Sequence, residues 1–254
     1  MIAFSKNGKG LPVILIHGFC ETKEMWKTFS DHLSTSYTVY CPDLPGFGES
    51  TLQEEKLNIE TVAVFLAEWM DENGIKSPSI IGHSLGGYVT LALAELLGSD
   101  IKSIGLFHST AFPDTDEKKK TRNKTITFLK KHGVDKFMDS FVPALFSASH
   151  RESHSQTIHT LISAGKKTST QAAIAYTAAM RDRKDRFQLW KSISKPKLMI
   201  AGELDSAVTL ESSRLHRDFS DNYYELKGVG HMGMFEAEKD SLEMLKKFLD
   251  QVFE

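Results

Sequence analysis

The chain reads as an α/β protein with a mostly parallel central sheet flanked by helices, and three observations lead there. Leu11 to His17 (Leu-Pro-Val-Ile-Leu-Ile-His) is a continuous apolar run ending at Gly18, the pattern of a parallel strand buried on both faces. Short apolar runs then alternate with amphipathic segments of helical length, which indicates right-handed crossovers and a sheet covered on both sides. Between about Ala111 and Trp190 the alternation stops, and several helical patterns follow one another with no convincing strand. One crossover rarely needs so many residues, so this stretch is expected to be a helical cap inserted between two strands. The expected division is a core of residues 1–110 and 191–254 with a cap at 111–190.

The elements follow in order. Ile2 to Ser5 supplies a short first strand, and Leu11 to His17 the second. Met25, Trp26, Phe29 and Leu33 recur at helical spacing between Thr22 and Ser34. Tyr37 to Cys41 is a strand stopped by Pro42, and Ile59 to Glu72 is a helix with Val62, Phe65, Leu66 and Trp69 on one stripe. Ser79 to His83 forms a strand, and a segment rich in helix formers, Tyr88 to Leu97, follows it. Strands at Ile101–Phe107, Lys197–Ala201 and Asp221–Leu226 bring the sheet to seven, and Ser241 to Phe253 closes the chain as a helix. Within the insertion, helices are expected at Thr121–Lys131, Val134–Val142, Glu152–Ser163 and Thr168–Arg181.

Composition narrows the function by exclusion. A formal charge of −2, from 31 basic against 33 acidic side chains, implies no nucleic-acid or anionic-lipid partner. No stretch approaches the roughly 18 apolar residues of a membrane span, and the N-terminus has no apolar secretion segment. Two cysteines, Cys20 and Cys41, make no disulfide framework, so a reducing cytoplasm is the default location. Cys20 is either a small apolar filler or, lying three residues after His17, a thiol near the site. No zinc-type Cys-His spacing, His-Glu-x-x-His run, dinucleotide fingerprint or phosphate loop is present, so no metal or cofactor is expected.

The chemistry is concentrated in Gly82-His83-Ser84-Leu85-Gly86-Gly87. A G-x-S-x-G run between a strand and a helix places its serine on a sharp corner with the hydroxyl exposed for attack. A serine hydroxyl is a weak nucleophile at neutral pH and needs a base. His231 is the best placed, in a glycine-flanked loop (Gly228-Val229-Gly230-His231) beyond the last strand, because loops at the carboxyl ends of parallel strands converge. His83 is expected to pack rather than react. The imidazole in turn needs an acid to fix its tautomer. Asp205 follows a strand through Gly202-Glu203-Leu204, with Glu203 as the weaker rival, whereas Asp43 precedes the serine and is expected to tie down its loop. Acyl transfer also needs donors aimed at an oxyanion. The backbone N–H groups of Leu85 and Phe19 are the expected pair, with His17 holding the second loop in place.

His17-Gly18-Phe19, Asp43 through Ser50, Gly82 through Gly87, Gly202 to Asp205 and Gly230-His231 occur in the order of the α/β-hydrolase superfamily, which the chain resembles from about Gly10 to Gly233. Within it the sequence is similar to carboxylesterases and enol-lactonase-like hydrolases with a helical cap, and Ala172 to Trp190 is similar to their cap exit. The resemblance implies an α/β-hydrolase fold, a Ser84–His231–Asp205 triad, no cofactor, and turnover through an acyl-enzyme. A serine at position 84 argues against the dehalogenase and epoxide-hydrolase branches, which use aspartate there. The chain departs from the pattern in having only about ten residues before the His-Gly strand, so the usual first strand is expected to be missing. It also lacks the proline that relatives often carry beyond the acid.

Substrate choice is less constrained, because one fold and one triad serve esters, lactones, thioesters and C–C bonds. The expected substrate is a small molecule, an ester of a small to medium apolar acid or a lactone. A non-catalytic ligand receptor is the alternative of another class. Phe128, Phe137, Met138, Phe141, Leu145 and Phe146 form an apolar set that serves either cap–core packing or an acyl pocket. Phe128, Phe141, Leu145, Phe146 and His17 are therefore the candidate substrate-binding residues. Arg122, Arg181 and Arg183 are candidates to bind a substrate carboxylate or are simply surface residues. Nothing in the sequence chooses between a monomer and a homodimer.

Overall fold

The structure, a computed structural model, describes residues 1–52 and 57–253. Its strands are β1 (Phe4–Asn7), β2 (Leu11–Ile16), β3 (Tyr37–Pro42), β4 (Ser79–His83), β5 (Ser103–Phe107), β6 (Lys197–Gly202) and β7 (Asn222–Leu226). They form one seven-stranded sheet in the order β1-β3-β2-β4-β5-β6-β7. Only β1 runs antiparallel, against β3 with Phe4 opposite Pro42, and every other pairing is parallel. β3, β4, β5 and β6 are buried along their whole length, as covered parallel strands must be. The edge strand β7 is only half-buried apart from Leu226.

Helices cover both faces. They are α1 (Lys27–Leu33), α2 (Ile59–Glu72), α3 (Leu85–Leu97), α4 (Asp116–Leu145), α5 (Ser155–Gly165), α6 (Thr170–Arg181), α7 (Phe187–Ser192), α8 (Leu210–Arg214), α9 (Gly233–Glu236) and α10 (Glu238–Phe253). α2 begins with a reciprocal cap. The Asn58 side chain accepts the Thr61 N–H at 2.7 Å, and the Thr61 hydroxyl accepts the Asn58 N–H at 3.0 Å. α10 buries Leu245, Phe248 and Leu249 on one stripe and leaves the other face polar. The segment expected as a helix from Thr22 starts as a 3-10 turn over Lys23–Trp26, and α1 begins only at Lys27.

Helices α4 to α7 lie between β5 and β6, so the large helical insertion is present. α4 is interrupted at Gly133, whose φ of 76° and ψ of 172° lie outside the helical region, at the point between the two helices expected from sequence. The two ends of the insertion are tied together where the Arg186 N–H donates to the Ala111 carbonyl at 2.8 Å. The Arg186 guanidinium reaches Glu60 on α2 (2.7 Å) and Glu95 on α3 (2.9 Å), while Arg183 pairs with buried Asp114 at 2.6 Å. These bonds fix where the insertion leaves and rejoins the core.

His216, fully buried after α8, completes that anchorage. Its Nε2 accepts the Ala111 N–H at 3.0 Å, so the ring proton sits on Nδ1 and is donated to the Ser212 carbonyl, also at 3.0 Å. Burial lowers its pKa from 6.5 to about 4. The unfolded chain therefore takes up a proton that the folded chain refuses. The stability this represents, about 3 kcal/mol, is present above pH 6.5 and is lost as the pH falls toward 4. We predict that Tm drops less between pH 7 and pH 4.5 in His216→Gln than in the wild type. Equal drops in thermal melts of the two proteins refute the assignment.

Candidate active site

Ser84 stands at the corner between β4 and α3 with φ 51° and ψ −113°, a conformation that few non-glycine residues adopt. The corner is held by backbone bonds on both sides. The Ser84 N–H donates to the Phe107 carbonyl at 3.0 Å, and the Ser84 carbonyl accepts the Gly87 N–H at 3.0 Å and the Ser109 hydroxyl at 2.7 Å. The turn is too tight for side chains at its flanks. A Cβ on Gly82 would collide with the Gly86 carbonyl, and one on Gly86 with the carbonyls of Ile16 and His17. The strain at Ser84 is thus imposed by neighbours that cannot move apart.

Asp205 follows β6, and its carboxylate is almost completely buried. One oxygen accepts the N–H groups of Ala207 (2.8 Å) and Val208 (2.9 Å), and the other accepts Nδ1–H of His231 at 2.8 Å and Nδ1–H of His108 at 3.1 Å. Burial alone would raise its pKa, but the adjoining imidazoles outweigh that and hold the carboxyl well below the usual carboxylate range. His108, Asp205 and His231 offer ligand-type atoms within 4.8 Å of one another, yet both Nδ1 atoms are committed to the carboxylate by hydrogen bonds.

The His231 loop is fastened from two directions. The His231 N–H donates to the Leu145 carbonyl at the end of α4 (2.7 Å), and its carbonyl accepts Nε2–H of His83 (3.0 Å), the residue before Ser84. The His83 and His231 rings lie 4.9 Å apart. The Glu236 carboxylate accepts the N–H groups of Gly230 and Met232, both at 3.1 Å, together with Ser147 N–H of the insertion at 2.9 Å. Burial works against the charge of Glu236, and these backbone donors more than compensate, leaving its pKa lowered.

A cavity of about 280 Å³ opens between the core and the insertion. Phe19 and Met232 border it from the core, and Met138, Phe141, Leu145 and Leu161 from α4 and α5. Phe19 and Phe141 meet edge to face at 5.7 Å. The cavity adjoins the chemistry through Met232, next to His231, while Ser84 and His231 themselves are not among its lining residues.

The sequence profile of the alpha/beta hydrolase fold family matches residues 12–238. The chain belongs to the α/β-hydrolase fold family. An esterase from Thermogutta terrifontis superposes with a TM-score of 0.93 at 26% identity, covering 99% of this chain and 93% of that one. The enol-lactonase from Burkholderia xenovorans LB400 superposes with a TM-score of 0.90 at 21% identity, covering 98% and 96%, a likeness of fold. The dihydrolipoyllysine-residue acetyltransferase component of the acetoin cleaving system of Cupriavidus necator is 34% identical over 114 residues, 44% of this chain but 30% of that protein's length. This α/β-hydrolase therefore carries general serine-hydrolase machinery on an esterase-like scaffold.

Of the residues singled out from sequence, Asp205 and His231 are brought into direct contact, and Phe19, Phe141 and Leu145 line the cavity. His17, Phe128 and Phe146 do not. His17 is fully buried, donating from Nδ1 to the Gly18 carbonyl (2.8 Å) and accepting the Leu44 N–H at Nε2 (2.9 Å), so it braces two loops. Phe128 is exposed and packs at a tilt beside His132, because the Gly133 interruption separates its helical face from that of Phe141. Phe146 is buried against Phe235 and His154. Arg122 and Arg183 both bind Asp114, and Arg181 binds Asp182, so their charges are spent locally. Asp43 accepts the Lys23 and Glu49 N–H groups, the loop-fastening role expected of it. Glu21, His108 and Glu236 were not singled out. Glu21 and His108 follow strands at the sheet's carboxyl edge, the position that selected Asp205 and His231, and Glu236 ends α9 just beyond the His231 loop.

The tightness of the serine corner makes a direct prediction. Gly82→Ala is expected to destabilise the α/β-hydrolase by about 3 kcal/mol or more, since backbone must move away from backbone. A thermal or urea melt within error of the wild type would show that the corner has slack.

Proposed function

We propose that the protein is a serine carboxylesterase in which Ser84 is the nucleophile, His231 the general base and Asp205 the acid that orients it. The single observation that carries this reading is the 2.8 Å bond from His231 Nδ1 to a carboxylate with no other freedom, in a loop bonded to the residue before a serine held at positive φ. With its Nδ1 proton committed to Asp205, His231 has only Nε2 with which to accept the Ser84 hydroxyl proton. Ser84 Oγ then attacks the ester carbonyl. His231 passes the proton to the departing alcohol, and water releases the acid by the same route in reverse.

Phe19 and Leu85 are proposed as the oxyanion donors. Both residues are buried, and among the described residues neither N–H donates to a backbone carbonyl. The Leu85 N–H is the first of α3, one of the groups every helix leaves without an internal partner. The helices of residues 111–190 act as a cap over the core of 1–110 and 191–254, and the apolar cavity beneath them suits a small to medium acyl chain. Likeness to the Thermogutta esterase supports an ester over other carbonyl substrates. The two buried, unpaired cysteines suit a reducing compartment such as the cytoplasm.

Hydrolysis of p-nitrophenyl acetate, butyrate and octanoate tests the reading. Ser84→Ala and His231→Ala are each expected to lower kcat by about a thousandfold or more, with the fold retained. Comparable turnover in folded Ser84→Ala sinks the proposal. Leu161→Trp, which fills the cavity from α5, is expected to cut octanoate turnover about tenfold, for about 1.4 kcal/mol of lost binding, while sparing acetate. Equal effects on both esters would place the acyl chain elsewhere.

A further inference from the structure

Beside the proposed triad lies a second buried carboxylate–imidazole pair that the reaction scheme does not use. Glu21 sits in the loop after β2 and His83 ends β4, and both side chains are out of solvent. One oxygen of Glu21 accepts the Gly18 N–H at 2.5 Å and also lies 3.0 Å from His83 Nδ1. The other ring nitrogen, Nε2, lies 3.0 Å from the His231 carbonyl. A carbonyl oxygen only accepts, so Nε2 carries a proton. The Gly18 N–H bound to the same oxygen stabilises its ionised form, so Nδ1 donates to a carboxylate and carries a proton as well. His83 is then a doubly protonated imidazolium paired with ionised Glu21. Burial opposes the cation, but the charge and hydrogen bond of Glu21 prevail, raising the His83 pKa and lowering that of Glu21.

We infer that Glu21 and His83 are positioning residues, an internal ion pair that clamps the Phe19 loop to the His231 loop across Ser84. This inference rests on the serine-esterase reading above. The clamp joins three pieces of the proposed machinery: Gly18 precedes the Phe19 donor, His83 precedes Ser84, and the His231 carbonyl belongs to the base. All three are positioned through one carboxylate and one ring. The His83 ring is 4.9 Å from that of His231, nearer to it than the His108 ring at 5.8 Å. The groups facing this pair are His17 from β2, His108 after β5, Asp205 after β6 and His231 after β7. His17 and His108 are held neutral by burial, so the charges that matter are Glu21, His83 and Asp205.

Two measurements decide it. The first is ¹⁵N NMR of the wild-type histidine rings at pH 7 to 8, assigned through the backbone, which needs no variant to fold. Both His83 ring nitrogens are expected to be protonated, and a neutral imidazole at His83 overturns the inference. The second is kcat and KM for p-nitrophenyl butyrate in Glu21→Gln and His83→Gln. Glutamine at 21 can still accept from Gly18 and His83 but brings no charge to hold the imidazolium. Both variants are expected to lower kcat at least tenfold with KM within about threefold. Folded variants with wild-type kcat overturn it, because a merely structural pair would affect stability alone. If Ser84→Ala retains turnover, the esterase reading falls and the positioning role falls with it. The NMR result still reports the ion pair by itself.

Discussion

Asp205 carries a negative charge into an interior made mostly of strand backbone and apolar side chains, and the loops around it are arranged by the need to satisfy that charge. A buried carboxylate left without partners costs several kcal/mol, about 3–5 when one partner of a buried pair is removed. Here one oxygen is met by consecutive backbone N–H groups, at Ala207 and Val208, and the other by two imidazoles. The first pair of bonds forms because the chain turns immediately after β6. The second requires that β5 and β7, the two neighbours of β6 in the sheet, each deliver a histidine to the same point. The parallel sheet does so without special loops, since its carboxyl edge gathers the ends of all its strands.

The insertion is coupled to this point rather than merely resting on it. The Leu145 carbonyl, at the end of α4, accepts the His231 N–H, and Glu236 joins Ser147 to Gly230 and Met232. The segment that closes the cavity therefore also sets the position of the proposed base. At the opposite side, the Arg186–Ala111 bond and the buried Arg183–Asp114 pair fix the insertion's two ends. Fastened at both sides, the insertion holds a cavity of defined size against Phe19.

Much of this was legible in the sequence because it depends on local pattern. Apolar runs such as Leu11–His17 and Ser79–His83 announce covered strands, and Gly82 and Gly86 around Ser84 announce a turn that admits no side chain there. The gap between the helices expected at Thr121–Lys131 and Val134–Val142 falls at Gly133, where α4 is interrupted. What was not legible depends on which residues meet across the sheet edge. His108, Glu21 and Glu236 carry no motif, and only the strand order β2-β4-β5-β6-β7 shows that they converge. Phe128 and Phe146 were misleading in the opposite way. Both belong to an apolar helical set, but the break at Gly133 and the contacts of Phe146 with Phe235 direct them away from the cavity.

The buried histidines show how far the partner atoms, rather than the residue type, decide the chemistry. Each ring can be read from what faces its two nitrogens. His17 faces one carbonyl and one N–H, so it carries one proton and stays neutral. His216 faces the same combination with the roles of its nitrogens fixed by Ala111 and Ser212, and is neutral too. His108 faces a carboxylate at Nδ1, while among the described residues its buried Nε2 has no partner, and burial keeps it from a second proton. Of these fully buried rings among the described residues, His83 faces an acceptor at both nitrogens, the arrangement inferred above to hold it as a cation. His231 has an acceptor at Nδ1 in Asp205, which leaves Nε2 to exchange a proton with whatever occupies the site. One side-chain type thus supplies loop braces, the inferred internal cation and the proposed base, each role read from the donors and acceptors that face its ring.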